Sequence, residues 1–388
     1  MSAISAIESE GRPRYITPLI REDLADKMAF IGGPREVGKT TLAVRFLHPP
    51  SERSPAYLNW DSPQRRSELM KGTIPGGQPI IVLDEIHKYA RWRNLVKGLY
   101  DTHKSSVSFI VTGSARLDYY RKGGDSLHGR YHYYRLHPYS LGELGRGANA
   151  GDLEQLLRFG GFPEPLFKGN ERFWRRWSRE RIHRVTSEDV RDLENIKDVS
   201  LLELLIEILP ERVGSPLSIQ SLREQLEVAH ESVQRWLRIL ETLYVCFRIA
   251  PFGSPKIRAV KKEQKLYFWD WSMAPEGGAR FENLVASQLL KYCHWVEDSE
   301  GHSMELRYVR DIEKREIDFV VLRGKKPLFA VECKSGDRSP GPAAAYFRER
   351  TAIPAFYQVH LGEKDYGNAH SSVRVLPFVT FCRELGLP

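Results

Sequence analysis

The chain contains few cysteines and no long apolar run. The four cysteines are scattered through the second half of the sequence, at Cys246, Cys293, Cys333 and Cys382. Their spacing argues against a zinc site and against a disulfide framework. No segment approaches the roughly 20 apolar residues of a membrane-spanning helix, and residues 1–10 lack the features of a signal peptide. We therefore expect a cytoplasmic protein with reduced thiols and no membrane partner.

Acidic residues are outnumbered by basic ones. The 388 residues include 58 Lys and Arg against 50 Asp and Glu, which is a formal net charge of +8. This balance mildly favours an acidic partner such as nucleic acid, although many basic proteins bind nothing anionic. The length is sufficient for two or three domains, and the apolar content allows each of them a core of its own.

Residues 33–40 form a complete phosphate-binding motif of the type G-x-x-x-x-G-K-[ST], the P-loop. The apolar run before it is typical of a strand, and the run after it is typical of a helix. In this context backbone N–H groups cradle a phosphate, Lys39 reaches the β- and γ-phosphates, and the Thr40 hydroxyl holds Mg²⁺. The alternative is a glycine-rich turn with a solvated lysine. The predicted nucleotide-binding residues are Gly33, Pro34, Arg35, Glu36, Val37, Gly38, Lys39, Thr40 and Thr41.

A second apolar run ends in two adjacent carboxylates, Asp84 and Glu85. Such a run is typical of a buried parallel strand with polar residues at its carboxyl end. We expect Asp84 to hold Mg²⁺ through water and Glu85 to polarise the attacking water, although two such acids could instead cap a helix. A third strand, residues 107–114, ends in hydroxyls. Ser114 or Thr112 would sense the γ-phosphate unless these groups only cap the strand end.

These motifs belong to a longer series along the chain. The series comprises Arg14–Leu24, Phe30–Arg35, Val82–Glu85, Thr112–Ser114, Leu127–Tyr131, Gly160–Pro165, Glu316–Val320 and Val331–Lys334. Together they resemble bacterial and archaeal AAA-type ATPases that carry a C-terminal domain of unknown function, DUF4143. The resemblance covers nearly the whole chain. It implies an ATPase that uses ATP and Mg²⁺, followed by a nuclease-like domain, and it does not identify a substrate.

The order of the apolar segments predicts an α/β protein with three regions. Residues 1–147 alternate strands and helices, which indicates an AAA-type P-loop fold with a parallel sheet and its ligand at the carboxyl ends of the strands. A helical region with a winged helix-turn-helix is expected over 152–260, and an α/β nuclease-like domain over 266–388. The helix over 172–181 interleaves aromatic residues with arginines. Either it stacks on bases, or its tryptophans pack inward while its arginines pair with acids.

Three amphipathic helices and a strand over residues 201–252 are typical of a winged helix-turn-helix. In DNA-binding versions the third helix, here residues 231–243, enters the major groove, but winged helices also serve as protein-docking modules. The side chains of the third helix that would contact DNA are His230, Ser232, Gln234, Arg235 and Arg238. A basic run after the wing favours DNA slightly, although such runs are usually solvated faces. The run comprises Lys256, Arg258, Lys261, Lys262 and Lys265.

Asp318, Glu332 and Lys334 resemble the Asp…Glu-x-Lys core of the PD-(D/E)XK nuclease fold. Two carboxylates on adjacent strands would share Mg²⁺, which activates water and stabilises the leaving oxygen. Lys334 faces the same side of the sheet as Glu332 and would orient or deprotonate the water. Glu282, on the preceding helix, matches the acid that many such nucleases place there. The alternative is an inactive scaffold in which Asp318, Glu332 and Lys334 form a buried ion-paired cluster.

Arg130 follows a glycine-rich stretch and matches a Gly-Arg motif of the family that the chain resembles. In AAA-type machines an arginine from a neighbouring subunit completes the ATP site. The resemblance therefore implies that Arg130 contacts the γ-phosphate or acts in trans. Arg116 is the rival candidate, and a salt bridge is the alternative role for Arg130.

These observations support three hypotheses about function. The leading one is an oligomeric, Mg²⁺-dependent ATPase that acts on duplex or branched DNA. It depends on the intact ATP site, the basic charge and two domain types that are associated with DNA. The second hypothesis is an ATP-gated, metal-dependent DNA nuclease. The third is an ATP-dependent switch that binds a protein partner and needs no DNA.

Overall fold

A computed structural model describes residues 14–113, 127–145, 147–190, 199–253 and 263–388. The chain divides into two units, residues 12–137 and residues 138–388. Each unit contains one β-sheet, built largely from the apolar runs of the sequence. Among the described residues, no helix combines the length and the apolar character needed to span a membrane.

The first unit contains five short strands, most of whose residues are buried. They are β1 (Met28–Gly32), β2 (Tyr57–Asn59), β3 (Ile80–Asp84), β4 (Ser108–Thr112) and β5 (Tyr131–Arg135). Runs that are apolar on both faces favour parallel strands covered by helices. All the pairings are parallel, and the strand order is β2-β3-β4-β1-β5. This confirms the predicted α/β fold with a parallel sheet.

Helices connect the strands of the first unit. They are α1 (Thr17–Asp23), α2 (Lys39–Val44), α3 (Pro63–Met70) and α4 (Trp92–His103). Helix α4 buries Trp92, Val96 and Leu99, which recur every three to four residues and so form one apolar face. Because β3, β4 and β1 are neighbours, their carboxyl ends meet along one edge of the sheet. The P-loop, Asp84 and Thr112 therefore lie along that edge.

The second unit begins with a helical region. Its helices are α5 (Ala150–Phe159), α6 (Pro163–Lys168), α7 (Glu171–Arg184), α8 (Val199–Ile208), α9 (Ile219–Leu226) and α10 (His230–Thr242). Helix α7 contains the interleaved aromatic and arginine residues. Trp177 and Arg181 of α7 are buried, and Arg181 lies 3.7 Å from the buried carboxylate of Asp270. The helix thus packs inward at these positions, in agreement with the second of its two interpretations.

Helices α8, α9 and α10 occur where the sequence predicts three helices, and their assignment to a winged helix-turn-helix stays a prediction. The Ser218 hydroxyl accepts a hydrogen bond from the Ser221 N–H at 3.1 Å and so caps α9. Helix α10 has a buried apolar stripe at helical spacing. The stripe consists of Val233, Trp236, Leu237 and Leu240. Its opposite face therefore carries the polar residues.

The strand predicted as the wing, β6 (Cys246–Pro251), belongs to the sheet of the second unit. The strands are β6 (Cys246–Pro251), β7 (Lys265–Phe268), β8 (Met304–Arg310), β9 (Glu316–Arg323), β10 (Lys326–Lys334), β11 (Phe356–His360) and β12 (Arg374–Pro377). Their order is β12-β11-β10-β9-β8-β6-β7, with mixed parallel and antiparallel pairs. The sheet thus contains strands from both sides of the boundary that was predicted between the winged helix-turn-helix region and the nuclease-like domain. The helices that follow β7 are α11 (Gly278–Glu300), α12 (Pro342–Arg350) and α13 (Phe378–Glu384).

Lys265 does not belong to a solvated basic run, contrary to the prediction. It is the first residue of β7, and its side chain is fully buried. A buried ammonium requires partners of opposite charge, and Glu282, Glu316 and Asp318 supply them. The other members of the predicted run lie outside the described residues. They are Lys256, Arg258, Lys261 and Lys262.

Candidate functional site

The P-loop takes backbone conformations that favour glycine. Gly33 has a φ of +140° and Gly38 a φ of +98°. A Cβ atom on Gly33 would lie 2.4 Å from the carbonyl oxygen of Leu136, so no other residue fits there without a shift of the backbone. Glu36, between the two glycines, also has a positive φ, of 65°. These conformations curl the loop into the concave form that binds phosphates.

Lys39 is the first residue of α2, and its side chain folds back across the loop. Its ammonium donates hydrogen bonds to the carbonyl oxygens of Gly33 at 3.0 Å and Pro34 at 2.7 Å. The residue is only 8% exposed. Both acceptors are neutral, so these two bonds position the ammonium beside the loop without neutralising it.

Asp84, at the end of β3, is the centre of a hydrogen-bonded group of hydroxyls. The Thr40 hydroxyl donates to its Oδ2 at 3.1 Å, and the Tyr57 hydroxyl donates to the same oxygen. The Thr112 hydroxyl donates to Oδ1. Asp84 is 3% exposed, and these neutral donors satisfy its carboxylate from β2, β4 and α2. The carboxylate is therefore oriented by three different elements.

Glu85 directly follows β3 in a left-handed conformation, with a φ of 55°. Its N–H donates to the Thr112 carbonyl oxygen at 3.2 Å, which ties the residue to the end of β4. Its Oε2 lies 3.6 Å from both the Lys88 ammonium and the His87 Nε2. Burial raises the pKa of the Glu85 carboxyl, and the positive charge of Lys39 opposes that rise.

Tyr57 was not predicted from the sequence as a site residue. It lies in β2, where Asn59 is in register with Asp84 and where the Asn59 amide donates to the Tyr57 hydroxyl at 3.2 Å. Burial and the hydrogen bond to Asp84 raise the pKa of Tyr57 well above its usual range, so the hydroxyl stays a donor. A polar residue near the end of a short apolar run was the only signal in the sequence.

Arg14 is a second residue whose role the sequence did not reveal. It is 4% exposed, and its guanidinium donates to the carbonyl oxygen of Val37 in the P-loop at 3.0 Å. It also donates to the carbonyl oxygen of His137. Arg14 therefore links the P-loop to the segment after β5. Because its acceptors are backbone carbonyls, no pattern of side chains could have indicated these contacts.

Two predicted residues near the γ-phosphate, Ser114 and Arg116, lie outside the described residues. Thr112, the alternative to Ser114, donates its hydroxyl to Asp84 and is 0% exposed. In this arrangement Thr112 orients the carboxylate. A direct contact of Thr112 with the γ-phosphate stays a prediction.

Arg130 lies at the edge of the sheet opposite the P-loop. It immediately precedes β5, and its carbonyl oxygen accepts from the N–H of Met28, the first residue of β1. The P-loop follows the other end of β1, roughly 13 Å away at the usual rise of a strand. The guanidinium forms an ion pair with Asp101 at 2.9 Å. Arg130 therefore does not reach the γ-phosphate of its own chain in this conformation, which corrects that part of the prediction.

The second group of predicted residues, Glu282, Asp318, Glu332 and Lys334, also comes together. Strands β9 and β10 are antiparallel neighbours, and the Cys333 N–H donates to Asp318 Oδ2 at 2.8 Å. The Lys334 ammonium lies 2.5 Å from Glu332 Oε1. The Glu282 carboxylate, from α11, accepts from the Tyr267 hydroxyl at 2.7 Å. The sequence missed the residue that joins these groups, Lys265, because it was assigned to the surface.

Burial dominates the protonation of this second group. It raises the pKa of Glu282 to about 8, and the negative charge of Asp318 adds to the rise. It raises the pKa of Glu332 to about 7, again with a contribution from Asp318. Burial by itself would lower the pKa of Lys265, but the surrounding carboxylates raise it above its usual range. Lys265 is therefore a permanent cation in the cluster.

Known protein families match consecutive parts of this chain. Residues 25–145 match the family described as "AAA domain", and residues 277–381 match the domain of unknown function DUF4143. The chain thus combines an AAA domain with a C-terminal DUF4143 domain. Between these two matches, residues 150–276 match the domain of unknown function DUF8612. Lys265 thus lies in the DUF8612 match, whereas its partners Glu282, Glu316 and Asp318 lie in the DUF4143 domain.

Two relatives from Methanocaldococcus jannaschii resemble most of this chain. "Uncharacterized protein MJ1544" is 22% identical over 79% of the chain and 75% of its own length. "Uncharacterized protein MJ1637" is 25% identical over 81% of the chain and 76% of its own length. The Thermotoga maritima RuvB Holliday junction branch migration motor overlaps 60% of the chain and 87% of its own, at 16% identity and a TM-score of 0.30. A TM-score this low supports no conclusion about function.

In the DUF8612 match, helix α10 carries the residues that were predicted to contact DNA. Arg235 and Arg238 are exposed, and Gln234 is partly exposed on the same helix. The Gln234 amide hydrogen-bonds to the ring nitrogen of His230 at 2.9 Å. The structure therefore places these side chains on the polar face of α10, opposite its buried stripe.

Proposed function

We propose that the AAA domain hydrolyses ATP in the presence of Mg²⁺. The observation that carries this proposal is the buried Asp84 carboxylate, held by the hydroxyls of Thr40, Tyr57 and Thr112. Asp84 and Thr40 supply oxygen ligands, which fit Mg²⁺, and they would hold the ion of the ATP complex. When bound, Mg²⁺ neutralises charge on the phosphate oxygens.

The remaining roles follow from position and charge. The Lys39 ammonium, beside the P-loop, would bind the β- and γ-phosphates. Glu85 is one residue beyond Asp84 and would orient the attacking water and accept its proton. The raised pKa of Glu85 increases the basicity of its carboxylate, which favours this role near neutral pH.

The test is the ATPase rate of Glu85→Gln. Because a glutamine cannot accept the proton, we expect hydrolysis to fall about 100-fold or more, while ATP binding is retained. Glu68→Gln is the matched control, since Glu68 lies on α3 and pairs with Arg65. Its rate should equal that of the unmodified protein. Hydrolysis by Glu85→Gln at the unmodified rate would contradict the assignment of Glu85.

We further propose that ATP hydrolysis is coupled to DNA. The support is the net charge of +8 together with the arginines on the exposed face of α10. Contacts of this kind with phosphates weaken as salt concentration rises. The ATPase rate should therefore increase with duplex or branched DNA at low salt, and less so at high salt.

The coupling to DNA is tested with two double variants. Each of them removes two positive charges. Arg235→Ala/Arg238→Ala should abolish stimulation by DNA and leave the rate without DNA unchanged. Arg323→Ala/Arg383→Ala, at exposed positions of β9 and α13, should keep the stimulation. A rate that depends on Glu85 but not on any DNA would rule out this coupling. The ATP-dependent switch with a protein partner would then become the working hypothesis.

We also propose that the protein acts as an oligomer in which Arg130 serves the ATP site of a neighbouring chain. The support is its position, about 13 Å of β-strand away from its own P-loop. Arg130→Ala and Lys39→Ala should each be inactive alone, and a mixture of the two should regain part of the activity. Asp101→Asn, which removes only the ion-pair partner of Arg130, should stay active. Full activity of Arg130→Ala would exclude this role.

A further inference from the structure

Lys265 lies at the centre of the second carboxylate cluster. Its ammonium is 2.5 Å from Glu316 Oε1, 3.4 Å from Glu282 Oε1 and 3.8 Å from Asp318 Oδ1. These carboxylates come from β9 and α11, whereas Lys265 comes from β7. The ammonium also lies 5.4 Å from the centre of the Tyr308 ring, which is a favourable position for a cation.

Three other carboxylate oxygens of the cluster have partners of their own. Asp318 Oδ2 accepts from the Cys333 N–H at 2.8 Å, and Glu316 Oε2 lies 2.7 Å from the Arg310 guanidinium. Glu332 Oε1 pairs with Lys334. Glu332 Oε2 is buried and has no hydrogen-bond partner in the part of the chain that the structure describes. A divalent cation, which takes about six oxygen ligands, would have to displace most of these contacts.

The charges of the cluster also leave little attraction for a metal ion. Four carboxylates, Glu282, Glu316, Asp318 and Glu332, face three cations, Lys265, Lys334 and Arg310. If all are ionised, the sum is one negative charge. In agreement, no three acidic, histidine or cysteine side chains among the described residues are arranged to hold a metal ion. The residues that resemble a nuclease site thus do not fit its metal.

We propose that the Lys265 ammonium is the built-in cation of this cluster and takes the place of a divalent metal. The DUF4143 domain then binds no Mg²⁺ or Mn²⁺ through Asp318 and cleaves no DNA with it. The acids and lysines instead join β7, β9 and α11 by a buried ionic network. The proposal is independent of ATP hydrolysis, so either one can fail alone.

The experiment compares thermal unfolding of the full chain with and without MnCl₂, in the absence of nucleotide. The unmodified protein should show no Asp318-dependent effect of Mn²⁺. Lys265→Ala leaves the carboxylates without their central cation, so its midpoint should fall. Mn²⁺ should then raise that midpoint by about 5 °C or more, because binding to the folded state stabilises it. The added substitution Asp318→Asn should abolish this rescue.

Lys334→Ala is the matched control. It removes an ammonium from the same cluster, but one that is 33% exposed and contacts Glu332 alone among the four acids. Its midpoint should fall less, and Mn²⁺ should not restore it. If Lys334→Ala is rescued and Lys265→Ala is not, the assignment of the central cation is wrong.

A measurement without any lysine variant covers the case in which Lys265→Ala does not fold. Mn²⁺ binding to the unmodified protein and to Asp318→Asn is followed by electron paramagnetic resonance. The two proteins should bind the same number of Mn²⁺ ions. A site that is present in the unmodified protein and lost in Asp318→Asn would overturn the proposal, as would Mn²⁺-dependent cleavage of DNA that Asp318→Asn abolishes.

Discussion

The two units of this protein give their buried aspartates different partners. In the AAA domain, buried Asp84 accepts hydrogen bonds from the neutral hydroxyls of Thr40, Tyr57 and Thr112. In the second unit, buried Asp318 lies near the Lys265 ammonium. Neutral donors orient a carboxylate and leave its charge in place, whereas a cation neutralises it. The first arrangement suits the binding of a metal ion and the second replaces one.

Each cluster also has a lysine, and the partners of the lysine differ. Lys39 donates to the backbone carbonyls of the P-loop, and Lys265 contacts carboxylates. A phosphate bound in the P-loop would lie near the Lys39 ammonium, whose two carbonyl acceptors carry no charge. In the second cluster, the Lys265 ammonium lies between the carboxylates, where a metal ion would otherwise bind. The same residue types therefore indicate chemistry only together with their neighbours.

The largest expected difference between the two units concerns their aspartates. Asp84→Asn removes the carboxylate that would hold Mg²⁺ with Thr40, so the ATPase rate should fall about 100-fold or more, equivalent to roughly 2.7 kcal/mol. Asp318→Asn should change the rate less than about twofold. Steady-state ATP hydrolysis at saturating Mg²⁺ measures both. An equal loss in the two variants would show that the clusters act together in catalysis.

The next comparison uses two glycines with positive φ. Gly33→Ala would place a Cβ 2.4 Å from a backbone oxygen, and Gly214→Ala would place one 2.9 Å from the end of the Glu282 side chain. A side chain can move and a paired backbone cannot, so we expect about 3 kcal/mol of destabilisation for Gly33→Ala and about 1 kcal/mol for Gly214→Ala.

Denaturant unfolding and ATP affinity distinguish these two variants. Gly33→Ala should also lose ATP binding, since it changes the P-loop itself, and Gly214→Ala should retain it. If Gly214→Ala were instead more destabilised than Gly33→Ala, the second cluster would be the more rigid of the two.

Two tyrosines provide a smaller and closely matched test. Tyr57 donates to Asp84, and Tyr267 donates to Glu282. Tyr57→Phe removes one of the three donors that orient Asp84, so kcat should fall about fivefold, which corresponds to one hydrogen bond of roughly 1 kcal/mol. Tyr267→Phe should leave kcat unchanged and lower the free energy of unfolding by a similar amount. A normal kcat for Tyr57→Phe would show that Thr40 and Thr112 orient Asp84 without it.

The last comparison concerns a dependence of stability on pH in the second unit. Glu282 has a folded-state pKa of about 8, raised from 4.5, so the folded state binds this proton more tightly than the unfolded state. Stability should therefore fall as the pH rises from about 4.5 to about 8. Glu282→Gln should show a smaller drop of the unfolding midpoint between about pH 6 and about pH 8.5. An identical pH profile in the variant would contradict the buried, protonated state of Glu282.

The candidate ATP site was largely predictable because its signals are local. The P-loop is a continuous motif, and Asp84 with Glu85 directly follows an apolar strand. Parallel strands bring their carboxyl ends to one edge, so the sequence also predicted that these residues meet. Tyr57 and Arg14 were missed because their contacts join segments that are distant in the sequence. The role of Arg130 was harder still, since only strand register shows which edge it occupies.

The sequence by itself determined the α/β class, the P-loop, the two acids after β3 and the three helices between residues 199 and 242. These features depend on the spacing of motif residues and on the periodicity of apolar residues, which are properties of neighbouring residues. The tertiary structure decided that Lys265 is buried among acids and that Arg130 lies beside the end of β1 that is remote from the P-loop. The reason is physical: whether a charged side chain is solvated or paired depends on groups that other strands and helices bring to it, and the sequence around the residue does not contain them.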